Sequence, residues 1–157
     1  MQIQVIEDYE IFKKLIKLNW GSEIIVVHNT VYKPEDLKGF FAYDEDGNVI
    51  GMIGHIIKNN ECEIVILESF KQNAGIGTAL INKIEEIAKK EGCDRIWLIT
   101  TNDNLNALGF YQKKGFKIKA VYPGVIDEAR KIKPEIPLIA DNGIPIRDEI
   151  ELEKSIG

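Results

Sequence analysis

The stretch from Leu67 to Thr78, Leu-Glu-Ser-Phe-Lys-Gln-Asn-Ala-Gly-Ile-Gly-Thr, constrains this chain more than any other. The apolar run Ile64 to Leu67 enters it. A segment with Ile76, Leu80, Ile84, Ile87 and Ala88 on one helical face leaves it. Gly75 and Gly77 therefore sit where a strand turns into a helix. Glycine lets the main chain approach a ligand closely, and the first N–H groups of a helix have no partner within it. The aligned peptide dipoles add positive potential there, so a phosphate or pyrophosphate is the natural guest. Two glycines at such a junction also make a plain tight loop, and the glycines alone do not separate the two readings.

The segments around this junction read as one α/β domain over residues 1–157, without repeat or linker. Gln2 to Ile6 is a short strand, and Tyr9 to Leu18 an amphipathic helix capped by Asp8 and ended at Gly21. Glu23 to Val27 is extended, and Pro34 starts a short helix. Gly39 to Tyr43 and Val49 to Ile57 flank an Asp-Gly turn, and Lys58 to Glu61 turns into a third strand, Cys62 to Glu68. These hairpins are too short for crossover helices, so the sheet is mixed rather than purely parallel. Gly75 to Glu91 is a helix stopped by Gly92. Arg95 to Thr100 is then a strand parallel to Cys62–Glu68. A helix capped by Asp103 or Asn104 runs to Lys114, and Phe116 to Val121 returns as a strand. Ile126 to Ile132 is a short helix, Ile136 to Ile139 a strand, and Ile146 to Leu152 a final alternating strand.

The net charge of −5 argues against a general nucleic-acid surface. Met1 to Tyr9 lacks the pattern of a secretory leader, and charges interrupt every apolar stretch, so no membrane partner is expected. Cys62 and Cys93 have no CxxC partner and read as reduced, buried thiols of a cytoplasmic protein. With two histidines and no ligand spacing, no metal is expected.

Two nucleotide motifs are missing. Gly75-Ile76-Gly77-Thr78-Ala79-Leu80 lacks the third glycine of the dinucleotide fingerprint, and no GxxxxGK[ST] is present. A second polar constellation, Thr100 to Tyr111, follows the next strand. If the two strands pair in parallel, both ends open at one edge of the sheet. Asn102 or Asp103 there suits local capping, whereas Asn106, inside the predicted helix, suits a ligand. Tyr111, one turn after Ala107, is either a proton donor or a core tyrosine.

Together these residues resemble the GCN5-related N-acetyltransferase (GNAT) superfamily, in a bacterial or archaeal branch of unassigned substrate. The family's Q/R-x-x-G-x-G/A motif reads Gln72-Asn73-Ala74-Gly75-Ile76-Gly77, and the Asn-to-Gly-Phe segment reads Asn106 to Phe116. The resemblance spans roughly Phe40 to Val121. It implies a single-domain, mostly antiparallel sheet flanked by helices, with the fourth and fifth core strands parallel and splayed by a bulge near Leu67. It implies acetyl-CoA as cosubstrate, its pyrophosphate on the amides of Gln72, Asn73, Ala74, Gly75, Ile76, Gly77 and Thr78. The pantetheine arm is expected on the main chain of Leu67 and Ser69, with Asn102, Asn106, Phe110, Tyr111 and Lys113 as further contacts. The Leu67 N–H is expected to polarise the thioester carbonyl, and Tyr111 to be the general acid. Asn73-Ala74 replaces the family's usual Arg-Gly, which lowers the local positive charge.

The reaction so implied is direct attack by a primary amine of a small molecule or peptide, helped by proximity and by donors at the carbonyl. An ammonium near pKa ~10 must first lose a proton. Glu68 is the first choice of base, with Glu61, Glu63, His28 or a water chain as alternatives. Strand alternation puts Glu61 and Glu63 on the face of Leu67 and Glu68 on the other, unless a bulge resets the parity. His28 and Tyr32 fall in the family's substrate-binding segment. Arg130 and Arg147, with Lys133, suit an anionic acceptor. A homodimer through exposed edges is a further expectation. The competing reading is a non-catalytic CoA-binding or regulatory module on the same fold.

Overall fold

The structure, a computed structural model, describes residues 1–72 and 74–157. It begins with β1 (Gln2–Val5) and α1 (Tyr9–Trp20). The Asp8 carboxylate accepts from the N–H groups of Glu10 and Ile11 at 3.0 and 3.2 Å, satisfying two orphan donors of α1. Gly21, with φ 75°, ends the helix in the left-handed conformation. The strands β2 (Ile25–Val27) and β3 (Thr30–Tyr32) form a separate hairpin. Its turn is His28-Asn29, with φ of 50° and 60°, the paired left-handed geometry that fits a two-residue hairpin. A 3₁₀ turn at Pro34–Asp36 leads into β4 (Lys38–Tyr43), β5 (Val49–Lys58) and β6 (Glu61–Ser69).

Next come α2 (Ile76–Lys90), β7 (Arg95–Thr101), α3 (Leu105–Lys113), β8 (Lys117–Tyr122), α4 (Ile126–Ile132) and β9 (Glu149–Ser155). The main sheet has the order β1-β4-β5-β6-β7-β9-β8, antiparallel except for the β6–β7 pair. Among the described residues no helix is long and apolar enough to cross a membrane.

Each face of the sheet carries its own core. One packs Ile53, Cys62 and Ile64 against Leu80, Ile81 and Ile84 of α2, all at 4% exposure or less. The other packs Phe41, Met52 and Ile66 against Phe12 and Ile16 of α1 and against Ile25 and Tyr32 of the hairpin. Each such aliphatic side chain contributes about 1.5–3 kcal/mol by leaving water.

The bulge expected near Leu67 falls at Val65. His55 faces Ile64 and Gly54 faces Ile66, which leaves Val65 as the extra residue of β6. The parity of the strand is reset there. Ile64 and Leu67 both pack into the α2 core, while Glu63 bonds Tyr32 on the α1 side and Ile66 joins that same core. Glu63 therefore lies opposite Leu67, not beside it as simple alternation predicts.

Two C-terminal expectations are corrected. Ile136 to Ile139 is not a strand; a single bridge joins Ile139 and Pro145. The last strand starts at Glu149, not at Ile146, so Arg147 precedes it. Asn102 is the cause: its Oδ1 accepts from the N–H groups of Arg147 and Asp148 at 3.0 Å each, which withdraws both from any ladder.

Candidate active site

The site begins where pairing stops. β6 and β7 pair in parallel only from Glu61↔Arg95 to Ile64↔Leu98. Beyond that register β6 stays on β5 as far as Gly51↔Ser69, and β7 stays on β9 as far as Thr101↔Glu149. The strands are pulled apart by their outer partners, and the sheet opens as a wedge between Leu67 and Thr100.

The start of α2 stands at the mouth of this wedge. Gly75 is its N-cap, with φ 69°, no side-chain cap and no acidic residue in the first turn. Its first N–H groups are thus left for a ligand, in contrast to those of α1, and dipole and donors together suit a diphosphate. A cleft of about 660 Å³ opens there. Of the residues singled out in the sequence, Leu67, Glu68, Ser69, Gln72, Ala74, Gly75, Ile76, Gly77, Thr78, Asn106, Phe110 and Tyr111 line it. Asn73 lies outside the described residues. A Cβ on Gly77 would stand 3.1 Å from Phe110 Cζ, so glycine there lets the ring lie against the start of the helix. The donor set and the open wedge fit the cofactor that the sequence implies.

Tyr111 is 7% exposed, and its ring is held edge-on between Phe110 and Phe116, at 5.3 and 5.5 Å. Among the described residues its hydroxyl has no hydrogen-bond partner. Burial, and then the charge of Glu68, push its pKa above the ordinary tyrosine value, so it keeps its proton. Burial also raises the Glu68 carboxyl above the usual range. The Ser69 hydroxyl donates to the Lys71 carbonyl at 3.0 Å.

Three further residues line the cleft that sequence reasoning did not single out as site residues, Lys71, Asn104 and Ala107. Lys71 was legible as a cation beside the glycines. Asn104 caps α3, accepting from the Ala107 N–H at 3.2 Å. Asn102 and Lys113 do not line the cleft. Asn102 holds the C-terminal segment and also donates to the Pro145 carbonyl at 2.9 Å; Lys113 is exposed at the end of α3.

His28 and Tyr32 meet on the opposite face of the sheet, in a cavity of about 230 Å³ shared with Glu61, Glu63 and Trp97. The Tyr32 hydroxyl donates to Glu63 Oε1 at 2.7 Å. Burial raises the Glu63 carboxyl above its usual value, and the Tyr32 bond offsets only part of this. The His28 N–H donates to Glu149 Oε2 at 3.0 Å, and its Nδ1 lies 3.3 Å from Glu149 Oε1. Tyr122, its ring 4.4 Å from that of His28, donates to Glu151 Oε1 at 2.8 Å. Arg95 bonds Glu61, Glu151 and Glu153, at 3.0, 2.9 and 2.8 Å. Glu149, Glu151 and Glu153 alternate along β9 and so share a face, a signal the sequence offered and the reading passed over.

Arg130 and Arg147 line neither space. Arg130 donates to the carbonyls of Ile136, Pro137 and Ile146 and pairs with Asp127. Arg147 is exposed and pairs with its neighbour Asp148 at 3.1 Å.

A wedge between parallel strands, floored by an uncapped helix start, marks the chain as an α/β protein with an open cleft at one end of its sheet. The family model described as Acetyltransferase (GNAT) family matches residues 9–116, and the chain belongs to that family. It is 48% identical over 138 residues to the uncharacterized protein YdhI of Bacillus subtilis (strain 168), covering 88% of this chain and 86% of that protein. Its fold is similar to an IAA acetyltransferase from Bacillus cereus ATCC 14579, with a TM-score of 0.78, 24% identity and 98% of both chains covered. It is also similar to a Bacillus subtilis acetyltransferase solved in complex with CoA, with a TM-score of 0.72, 23% identity, and 98% of this chain and 97% of that one covered.

Proposed function

We propose that this protein transfers an acetyl group from acetyl-CoA to a primary amine of a small molecule or peptide, by direct attack. The observation that carries the reading is the unpaired stretch beyond Ile64 and Leu98, set beside the uncapped start of α2. Acetyl-CoA, when bound, supplies a thioester carbonyl open to a nucleophile.

The chain's own residues do the rest. The amides of Gln72 and of Ala74 to Thr78 hold the diphosphate, with Asn106 and Phe110 also lining the cleft. Main-chain groups of Leu67 and Ser69 hold the arm as an added strand would. The Leu67 N–H stabilises the oxyanion as the amine adds to the carbonyl. Glu68, its carboxyl raised by burial, accepts the amine proton directly or through water. Tyr111, kept protonated by burial, gives its proton to the departing thiolate. His28 and Tyr32 belong to the acceptor side. The two buried, unpaired cysteines agree with a reaction in the cytoplasm. The exposed Ile118 and Val121 on the edge strand β8 offer a face for a homodimer.

The test is release of free thiol from acetyl-CoA by purified protein across amino acids, polyamines, aminoglycosides and peptide N-termini. Thiol release that requires an amine supports the reading. Saturable CoA binding with no release on any amine overturns it in favour of a binding module.

A further inference from the structure

The sheet face around the cavity beside His28 and Tyr32 carries more acid than base, with Glu61 and Glu63 lining the cavity itself and the β9 carboxylates lying outside its lining. Glu63, Glu149 and Glu151 are 5%, 4% and 8% exposed, and Glu61 and Glu153 stand next to them. Against these five carboxylates stand Arg95, already divided among Glu61, Glu151 and Glu153, and Lys58 on the rim. Lys58 is exposed and forms no ion pair among the described residues. His28 bonds Glu149, and His28 and Lys58 both stand close enough to Glu63 to favour its charged form, though burial outweighs them. Buried carboxylates without a counter-charge are costly, and a ligand that brings the missing charge recovers that cost.

A separate observation points to where such a ligand sits. Glu63 lines the cavity and is almost wholly buried, yet only its Oε1 has a partner. Its Oε2 is unbonded among the described residues and, unlike His55 Nδ1 and Asp103 Oδ1, is not enclosed by protein. A free carboxylate oxygen facing a small cavity is suited to a compact ammonium with its several N–H donors.

Spacing adds the last constraint. Glu63 and Leu67 lie on one strand, four residues apart with one of those steps taken up by the bulge. They are thus separated by about 10–13 Å along β6. A ligand reaching from one to the other is longer than a four-carbon diamine and matches an extended triamine.

We propose that the acceptor is an elongated polyamine: its distal ammonium sits on Glu63 within the His28–Tyr32–Trp97 cavity while its other end reaches the gap between β6 and β7. This rests on the acetyl-transfer reading above. The Tyr32 hydroxyl fixes the carboxylate so that Oε2 stays turned to the ligand, and the carboxylates of β9 add attraction behind it.

The experiment compares kcat/KM of thiol release with n-octylamine, 1,4-diaminobutane and spermidine, for the wild type and for Glu63→Gln. Spermidine should exceed octylamine by about tenfold or more, since a desolvated charge contact is at stake. Diaminobutane, too short to span, should fall with octylamine. Glu63→Gln should cut the spermidine-to-octylamine ratio about tenfold, through a raised KM for spermidine with kcat largely held. Octylamine used as well as spermidine by the wild type overturns the proposal, as does an unchanged ratio in a folded Glu63→Gln. If that variant fails to fold, the wild-type series decides alone. Amines accepted without preference overturn the polyamine assignment and leave acetyl transfer standing, whereas CoA binding without release on any amine overturns both.

Discussion

Ile64 faces Leu98 across the last paired register of β6 and β7, and the two strands run on from there without each other. The gap is held open from outside, by β5 on one side and β9 on the other, so it persists without a ligand in it. Tyr111 lies against this gap, buried and with a free hydroxyl. Because that hydroxyl makes no hydrogen bond among the described residues, Tyr111→Phe should leave the fold and CoA affinity nearly intact. Turnover should fall about 100-fold if the hydroxyl is the general acid. Steady-state kinetics with calorimetric CoA titration checks this, and unchanged turnover removes the role.

Gly77 and Phe110 form the second relationship on which the cleft depends. A methyl on residue 77 would press within 3.1 Å of the ring, closer than ordinary contact. Gly77→Ala should therefore push Phe110 toward the cleft and weaken CoA binding about tenfold, with little change in melting temperature. Adding Phe110→Leu should recover much of the loss, since the two sites share one contact. Additive losses in the double variant argue that the ring is not what the methyl displaces.

Much of this arrangement was legible because it is written locally. The Asp8 cap, the helical period after Gly75 and the hairpin turns each lie within a few residues, and each formed close to where the residues place it. The strand Thr30–Tyr32 was not legible. It is three residues long, and its turn puts His28 and Asn29 at positive φ without a glycine to announce it. The carboxylate cavity was not legible either. It joins residues of β3, β6 and β7, and the carboxylates behind it come from β9, which lies between β7 and β8 only through the completed sheet. Local periodicity carries no information about that neighbour. The parity error on β6 has one cause, the single unpaired residue Val65.

Arg95 ties β7 to β6 and to β9 through Glu61, Glu151 and Glu153. Burial alone would raise the Glu151 carboxyl, but the bonds from Arg95 and Tyr122 overcome it and hold the pKa below its ordinary value. A carboxyl lowered in the folded state adds stability above its unfolded value, about 4.3, and loses it as pH falls through the folded value. Arg95→Met should thus destabilise the protein by about 2 kcal/mol near neutral pH, since it leaves the buried Glu151 without its cation. The penalty should shrink in acid. Urea melts at neutral pH and well below pH ~4 measure both, and a penalty independent of pH would show that the guanidinium acts through packing alone.

Glu63 has the opposite sign. Its carboxyl is raised by burial, so the folded state holds its proton more tightly than the unfolded chain does. Its contribution to stability is therefore best in acid and declines as pH rises through the unfolded value toward the folded one. Glu63→Gln keeps an oxygen for the Tyr32 hydroxyl and removes the buried charge. It should melt above the wild type at pH 7 to 8, with the difference vanishing below pH ~4, where both side chains are neutral. A residue whose charge weakens the fold at working pH, yet stands in an open cavity, is suited to a ligand that brings the compensating cation. Thermal melts with and without spermidine connect the two effects: spermidine should raise the wild-type midpoint more than that of the variant. Equal shifts for both proteins would separate the stability cost from ligand binding.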